Sequence, residues 1–330
     1  NVDTIYVNSL NSVFIEINGK VLNTEIKLTQ NQLAFILKNV SNLSESKPDN
    51  DSLIWNCKFD NLLVTVLMPP VSVNGPSITI KKLRETNLDF RALVDKGFLT
   101  KDIYDFLISA INSRKNIIIA GEADCGKTLL SDSLIKYGLS SSRGIILEEY
   151  PQILSKGDNL MKFNFSVLKS EYDFRVLYSN LMRMQTEFIL FDSNNPYYFN
   201  SILTGVNKSQ GAILTLRAPN LDSAASKCIG AYITEDKCSE KFAKSKFLNT
   251  FDYIVLINKC TDGIRRITSI TELNPAKTAA LSFKLIAKWE ENHYETFIPQ
   301  PLTAIKADSL VDSPQSGSMK ERFYTKTNLY

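Results

Sequence analysis

Apolar residues along this chain follow two different rhythms. In residues 1–85 short alternating stretches predict strands at Thr4–Val7, Val13–Ile17, Lys20–Asn23, Leu62–Leu67 and Ser77–Lys81. Asn18-Gly19, between the second and third of these, is a type I′ hairpin signal. Leu33, Ile36, Leu37 and Val40 recur at helical spacing, which predicts a helix over Gln30–Val40 capped by Thr29. Leu43–Ser52 is polar and reads as a loop, and Pro69-Pro70 interrupts strand pairing. This first segment is a small α+β module.

After a connecting segment at 86–100 the rhythm changes. Continuous apolar runs at Asn116–Ala120, Gly144–Leu147, Phe188–Phe191, Ala212–Leu216, Tyr253–Ile257 and Arg266–Ile270 read as strands. Helical stretches lie between them, at Lys127–Tyr137, Phe174–Met184, Tyr198–Val206, Ser223–Ile233 and Lys241–Phe247. Uninterrupted Val/Ile/Leu strands separated by helices imply an α/β unit over 101–303, with a mainly parallel sheet covered on both faces. Residues 304–330, with Ser313-Pro314-Gln315-Ser316-Gly317-Ser318, form a Ser/Gly-rich tail.

Length and composition narrow the chemistry. The 330 residues suit about two domains. A net charge of +3 gives no global field for nucleic acid. The basic stretch Lys237–Lys246 reads as a solvated helix face, so no nucleic-acid partner is expected. There is a single histidine, His293, which excludes His-rich metal sites and leaves the chemistry to carboxylates, Lys, Arg and hydroxyls. Five cysteines with no C-x-x-C pair predict neither a disulfide framework nor an all-cysteine zinc site, and so a reducing compartment. Asn1–Ser9 lacks the apolar core of a signal peptide, and the apolar runs are of strand length.

The strongest local signal is Gly121-Glu122-Ala123-Asp124-Cys125-Gly126-Lys127-Thr128, a full G-x-x-x-x-G-K-[ST] match between a predicted strand and a predicted helix. Glycines let backbone N–H groups curl around phosphate oxygens, and the helix N-terminus adds positive potential. Lys127 reaches the β- and γ-phosphates in such a loop, and Thr128 ligates Mg²⁺. The expected nucleotide site is therefore Gly121, Cys125, Gly126, Lys127, Thr128 and Leu129, with ATP and Mg²⁺ as the bound groups. Carboxylates are then needed at neighbouring strand ends. Glu148 and Glu149 end one strand, and Asp192 ends another that reads as a Walker B strand. Glu149 and Asp192 join Thr128 as the expected metal ligands.

These residues sit within a longer series of motifs. Ile5-Tyr6-Val7-Asn8, Phe14-Ile15-Glu16-Ile17-Asn18-Gly19-Lys20 and Pro69-Pro70 with Asn74-Gly75-Pro76-Ser77-Ile78-Thr79-Ile80-Lys81-Lys82 precede the phosphate loop. Leu147-Glu148-Glu149, Met182-Arg183-Met184-Gln185, Thr215-Leu216-Arg217-Ala218-Pro219-Asn220 and Gly263-Ile264-Arg265-Arg266-Ile267 follow it. In this order they resemble the secretion ATPases of the type II/type IV secretion superfamily, nearest the tight-adherence (Tad/Flp) pilus branch. The resemblance implies a RecA-like P-loop domain behind a smaller N-terminal α+β domain. It also implies a homo-hexamer or a mixed ring with a related ATPase, on the inner-membrane platform of a pilus or secretion machine at the cytoplasmic face. Carried across, Glu148 takes the acidic-box position that orients or deprotonates water. Arg183 falls on an arginine near the phosphates or the neighbouring subunit. Lys81 replaces an arginine that reaches the nucleotide, and Asp192 counts with Glu148 and Arg183 in the catalytic set.

Several positions depart from the family pattern. Glu122, Asp124 and Cys125 replace Gly, Gly and Ser of its loop. In Phe191-Asp192-Ser193-Asn194-Asn195, aligned strictly, Ser193 falls on the Walker B glutamate. Gln210 and Arg217 stand at its two histidines, and Gln185 and Asn195 at two arginines. Two readings follow: an ATPase that energises secretion or pilus assembly, and a degenerate nucleotide-binding or structural paralogue partnering an active sister. A P-loop kinase of another lineage would leave the N-terminal module unexplained.

Overall fold

The alternating stretches of the first third assemble into one antiparallel sheet. The structure is a computed structural model that describes residues 2–17, 20–43, 53–82, 90–139, 142–166, 168, 170–193, 195–207, 210–273, 283–290 and 293–296. Its first elements are β1 (Thr4–Ser9), β2 (Ser12–Ile17), β3 (Lys20–Asn23), α1 (Gln30–Leu43), β4 (Ile54–Phe59), β5 (Leu62–Leu67) and β6 (Ser77–Lys82). The strand order is β3-β2-β1-β6-β5-β4. Ile17 pairs with Lys20, while the Asn18-Gly19 turn and nearly all of the polar stretch after Leu43 lie outside the described residues. Val7, Val13, Val64, Val66 and Ile78 pack against Leu33 and Val40 of α1. Thr29 caps that helix reciprocally: its N–H donates to Gln32 Oε1 at 2.9 Å, and its Oγ1 accepts from the Gln32 N–H at 3.3 Å. The edge strand β4 escapes the sequence pattern because Asn56 and Lys58 dilute its apolar face, yet it pairs with β5 along its whole length.

The predicted connector at 86–100 is described from Phe90 onward. Its described part contains α2 (Phe90–Asp95), and α3 (Lys101–Asn112) follows directly. Thr100 Oγ1 caps α3 by accepting from the Ile103 N–H at 3.4 Å. Leu93, Ile103, Phe106, Leu107, Ala110 and Ile111 are buried in the core, so α2 and α3 pack with the large sheet.

Beyond it come β7 (Ile117–Gly121), α4 (Lys127–Gly138), β8 (Gly144–Glu148), β9 (Leu160–Asn164), α5 (Glu171–Met182) and β10 (Phe188–Asp192). These are followed by α6 (Pro196–Gly205), β11 (Gly211–Arg217), α7 (Leu221–Asp236), α8 (Glu240–Thr250), β12 (Tyr253–Lys259), β13 (Arg265–Leu273), β14 (Phe283–Glu290) and β15 (His293–Thr296). They form a nine-stranded sheet in the order β15-β14-β13-β12-β7-β11-β10-β8-β9. From β12 to β9 all neighbours are parallel, and β13 to β15 extend the sheet antiparallel. Alternate strand residues enter two cores. Ile118, Ile145, Ile189 and Leu214 meet α5–α8 on one face, and Ile117, Ile119, Ile146 and Leu190 meet α2–α4 on the other. Burial on both faces is why these strands read as unbroken apolar runs.

The order β7-β11-β10-β8 makes the chain leave β7 and skip two strands before returning at β8. Such a switch point leaves a crevice beyond the carboxyl ends of the strands. Register places Asp192 beside Glu148 and Arg217 beside Gly121 along that edge. The candidate residues other than Arg183 converge there. No helix among the described residues is long and apolar enough to cross a membrane.

Candidate functional site

The phosphate loop springs from β7, and two glycines fix its course. A Cβ on Gly121 would lie 2.3 Å from the Ile257 carbonyl oxygen and 2.4 Å from Cys125 Sγ, so no other residue fits there. Gly126 has φ +110°, in the left-handed region, and a Cβ on it would meet the Phe98 ring at 2.9 Å. Phe98 is itself held, because its carbonyl accepts from the Ile267 N–H at 3.0 Å and the Tyr294 hydroxyl at 3.1 Å. The antiparallel extension of the sheet thus braces the loop from behind. Buried Cys125 fills the loop interior, and burial pushes its thiol pKa up, which keeps it protonated.

Lys127 opens α4 and curls back into the loop. Its Nζ donates to the carbonyl oxygens of Gly121 at 3.0 Å and Glu122 at 2.7 Å. Next to it, Thr128 Oγ1 donates to Asp192 Oδ2 at 2.8 Å, while Thr215 Oγ1 donates to Asp192 Oδ1 at 2.6 Å. Asp192 is therefore fixed by two hydroxyls at the mouth of the loop. Leu129, one residue further along α4, packs partly buried against the α2–α4 core. Thr215 also belongs to the site, and its signal in the sequence is a hydroxyl inside the apolar run of β11.

The three carboxylates beyond β8 and β10 have different fates. Glu148 is 2 % exposed, and its Oε1 accepts from the N–H groups of Gln152 at 2.6 Å and Ile153 at 2.7 Å. Burial pushes its pKa up to about 7; those two amides oppose the rise and Asp192 adds to it. Glu149 is half-buried, and its Oε2 accepts from Ser193 Oγ at 2.6 Å. Ser193 Oγ in turn accepts from the Asn195 N–H at 2.9 Å, and the Glu149 N–H donates to the Asp192 carbonyl at 3.1 Å.

The two acids within the phosphate loop face cations from elsewhere. Lys81, at the end of β6, pairs with Asp124 Oδ1, and Arg217, at the end of β11, pairs with Glu122 Oε2 at 3.3 Å. Burial works against charge on Asp124. The Lys81 bond and charge, with Arg265 and Lys127, nevertheless hold its carboxyl below the usual range. Lys81 thus reaches the phosphate loop from the N-terminal sheet. Arg183 does not join this cluster. It is exposed at the C-terminal end of α5, before β10 begins, and so lies at the opposite edge of the parallel sheet. Gln210 sits at that edge too, donating to Thr186 Oγ1 at 3.1 Å.

No protein-family model matches the sequence. The chain is 24 % identical over 234 residues to the conjugal transfer protein TrbB of Rhizobium radiobacter, covering 70 % of this chain and 66 % of that protein. It is 26 % identical over 234 residues to the type IV secretion system protein VirB11 of Bartonella quintana, covering 58 % and 65 %. These matches span just under two thirds of either relative. Among solved structures, the pilus retraction motor PilT with bound ADP aligns over 86 % of this chain and 79 % of that one, with a TM-score of 0.59 at 14 % identity. The fold is therefore the RecA-like P-loop fold, and the similarity in sequence is to proteins of conjugal transfer and type IV secretion.

Proposed function

We propose that the chain is a secretion-superfamily ATPase that binds ATP with Mg²⁺ on residues 121–128 and hydrolyses it to drive a cell-envelope machine. One observation supports this above all, the 2.8 Å bond between Thr128 Oγ1 and Asp192 Oδ2. It sets a hydroxyl and a carboxylate side by side at the N-terminus of α4. Those are hard oxygen donors of the kind Mg²⁺ takes when it shares its shell with phosphates and water. Thr128 and Asp192 would hold the ion, with Glu149 beside them, and the ion would neutralise phosphate charge. Lys127 exchanges two carbonyl partners for phosphate oxygens, and Lys81 is close enough to the loop to do the same from Asp124.

In this reading residues 1–85 and 101–303 are two domains joined through 86–100, with the nucleotide between them. The similarity to TrbB, VirB11 and PilT supports a ring, homo-hexameric or mixed, working on inner-membrane platform proteins from the cytoplasmic side. The motif series supports a reading nearest the tight-adherence branch, and in it Arg183, remote from its own loop, acts on the neighbouring subunit. The degenerate reading draws on Ser193 at the Walker B glutamate position and on Gln210 and Arg217 at the two histidine positions. Calorimetric titration with ATP, with and without Mg²⁺, tests the proposal alongside native mass measurement. Mg²⁺-dependent binding that Lys127→Ala abolishes is expected, with a mass of about six chains. Absence of ATP binding would overturn it.

A further inference from the structure

Within that ATPase reading, the geometry points to Glu149 as the carboxylate that faces the attacking water, with Ser193 as its positioning residue. Glu148, Glu149 and Asp192 end adjacent parallel strands, and two of the three are already committed. Asp192 has each oxygen on a threonine hydroxyl, at 2.8 and 2.6 Å, and belongs with Thr128 at the metal position. Glu148 is buried against the Gln152 and Ile153 amides, which draw its carboxylate into the turn after β8. Glu149 is half-buried like Asp192, but among the described residues only one of its oxygens is held. A single short bond from Ser193 Oγ, at 2.6 Å, holds one of its oxygens.

The placement has two further supports. Ser193 directly follows Asp192, so the metal carboxylate and the group that aims Glu149 are consecutive residues on β10 and its exit. The Glu149 N–H also bonds the Asp192 carbonyl at 3.1 Å, which ties the two strand ends together at this level. The Ser193 hydroxyl is doubly used, accepting from the Asn195 N–H at 2.9 Å while it donates to Glu149. Its hydrogen is thereby directed at the carboxylate. In the reaction a water oxygen bonds to the γ-phosphorus as the bond to the β,γ-bridging oxygen breaks. The bridging oxygen keeps the electron pair, and the water proton passes to the free Glu149 oxygen.

Glu149→Gln, Glu148→Gln, Ser193→Ala and Ser193→Thr in the full chain test this, read by ATP affinity, affinity for ADP with aluminium fluoride, and kcat. Glu149→Gln is expected to bind ATP within about twofold of wild type, bind the fluoroaluminate complex at least tenfold more weakly, and lose at least about a hundredfold in kcat. Ser193→Ala should lose about tenfold in kcat while binding ATP within about twofold of wild type, because the bond that aims the Glu149 carboxylate is gone. Ser193→Thr, which restores the hydroxyl, should recover most of that kcat. Wild-type kcat in Glu149→Gln, with loss in Glu148→Gln, would overturn this assignment and leave the ATPase reading standing. A wild-type chain that binds ATP without turning it over would overturn the ATPase reading, and this assignment with it.

Discussion

Glutamine in place of Glu148 should remove a pH dependence of folding that the wild-type chain carries. The carboxyl is 2 % exposed, and burial lifts its pKa from an ordinary 4.5 to about 7. A group whose folded pKa exceeds its unfolded value holds its proton more tightly when folded. Its stabilising effect is therefore complete below the unfolded value and is lost as the pH rises through the folded one. At about 1.4 kcal/mol per tenfold difference in proton affinity, the whole loss is about 3 kcal/mol, of which about 2.5 falls between pH 5 and pH 8. A glutamine oxygen can keep accepting from the amides of Gln152 and Ile153, and the side chain stays neutral throughout. Urea unfolding of both proteins at pH 5, 6, 7 and 8 reads the effect, since other titrating groups cancel in the difference. Glu148→Gln should gain about 2–3 kcal/mol relative to wild type across that range. Parallel stability profiles would show that the carboxylate is not held in a poorly solvated site.

Three other substitutions probe the loop. Asp124→Gly removes a carboxylate from a left-handed backbone position (φ +56°) and frees Lys81 for phosphate. One unit charge within about 8 Å is worth about 1 kcal/mol at a dielectric intermediate between surface and bulk, so ATP should bind about fivefold more tightly by titration. Unchanged or weaker binding would contradict that. Gly126→Ala should cost about 1–3 kcal/mol in denaturant unfolding, because it combines a positive φ with a contact on Phe98; an unchanged midpoint would count against the bracing role of Phe98. Asp192→Asn should keep the fold and lower Mg²⁺-dependent turnover at least about a hundredfold, and turnover within twofold of wild type would remove Asp192 from the metal position.

Most of the large sheet was legible because β7, β8, β10, β11 and β12 are buried on both faces and so read as unbroken apolar runs. Strand β9 was not, because it is an edge with half-exposed residues and Lys162 at its centre. Helix α3 was within reach of the pattern, since Ile103, Phe106, Leu107, Ala110 and Ile111 keep strict helical spacing. Lys127, Thr128 and Asp192 were readable because each is marked by its own local context, a loop or a strand end. The pairs Ser193–Glu149 and Arg217–Glu122 were not, because they join residues 44 and 95 positions apart. Only the strand order β7-β11-β10-β8 brings those together. The acids of the phosphate loop each meet a cation that sequence alone could not assign to them, Arg217 through that order and Lys81 from β6 of the other sheet.

The central claim, ATP hydrolysis at residues 121–128, is tested most directly by steady-state phosphate release from the purified full chain. Mg²⁺-dependent turnover is expected in the wild-type chain and absent from Lys127→Ala. Equal rates in the two proteins, or no Mg²⁺ dependence, would contradict it.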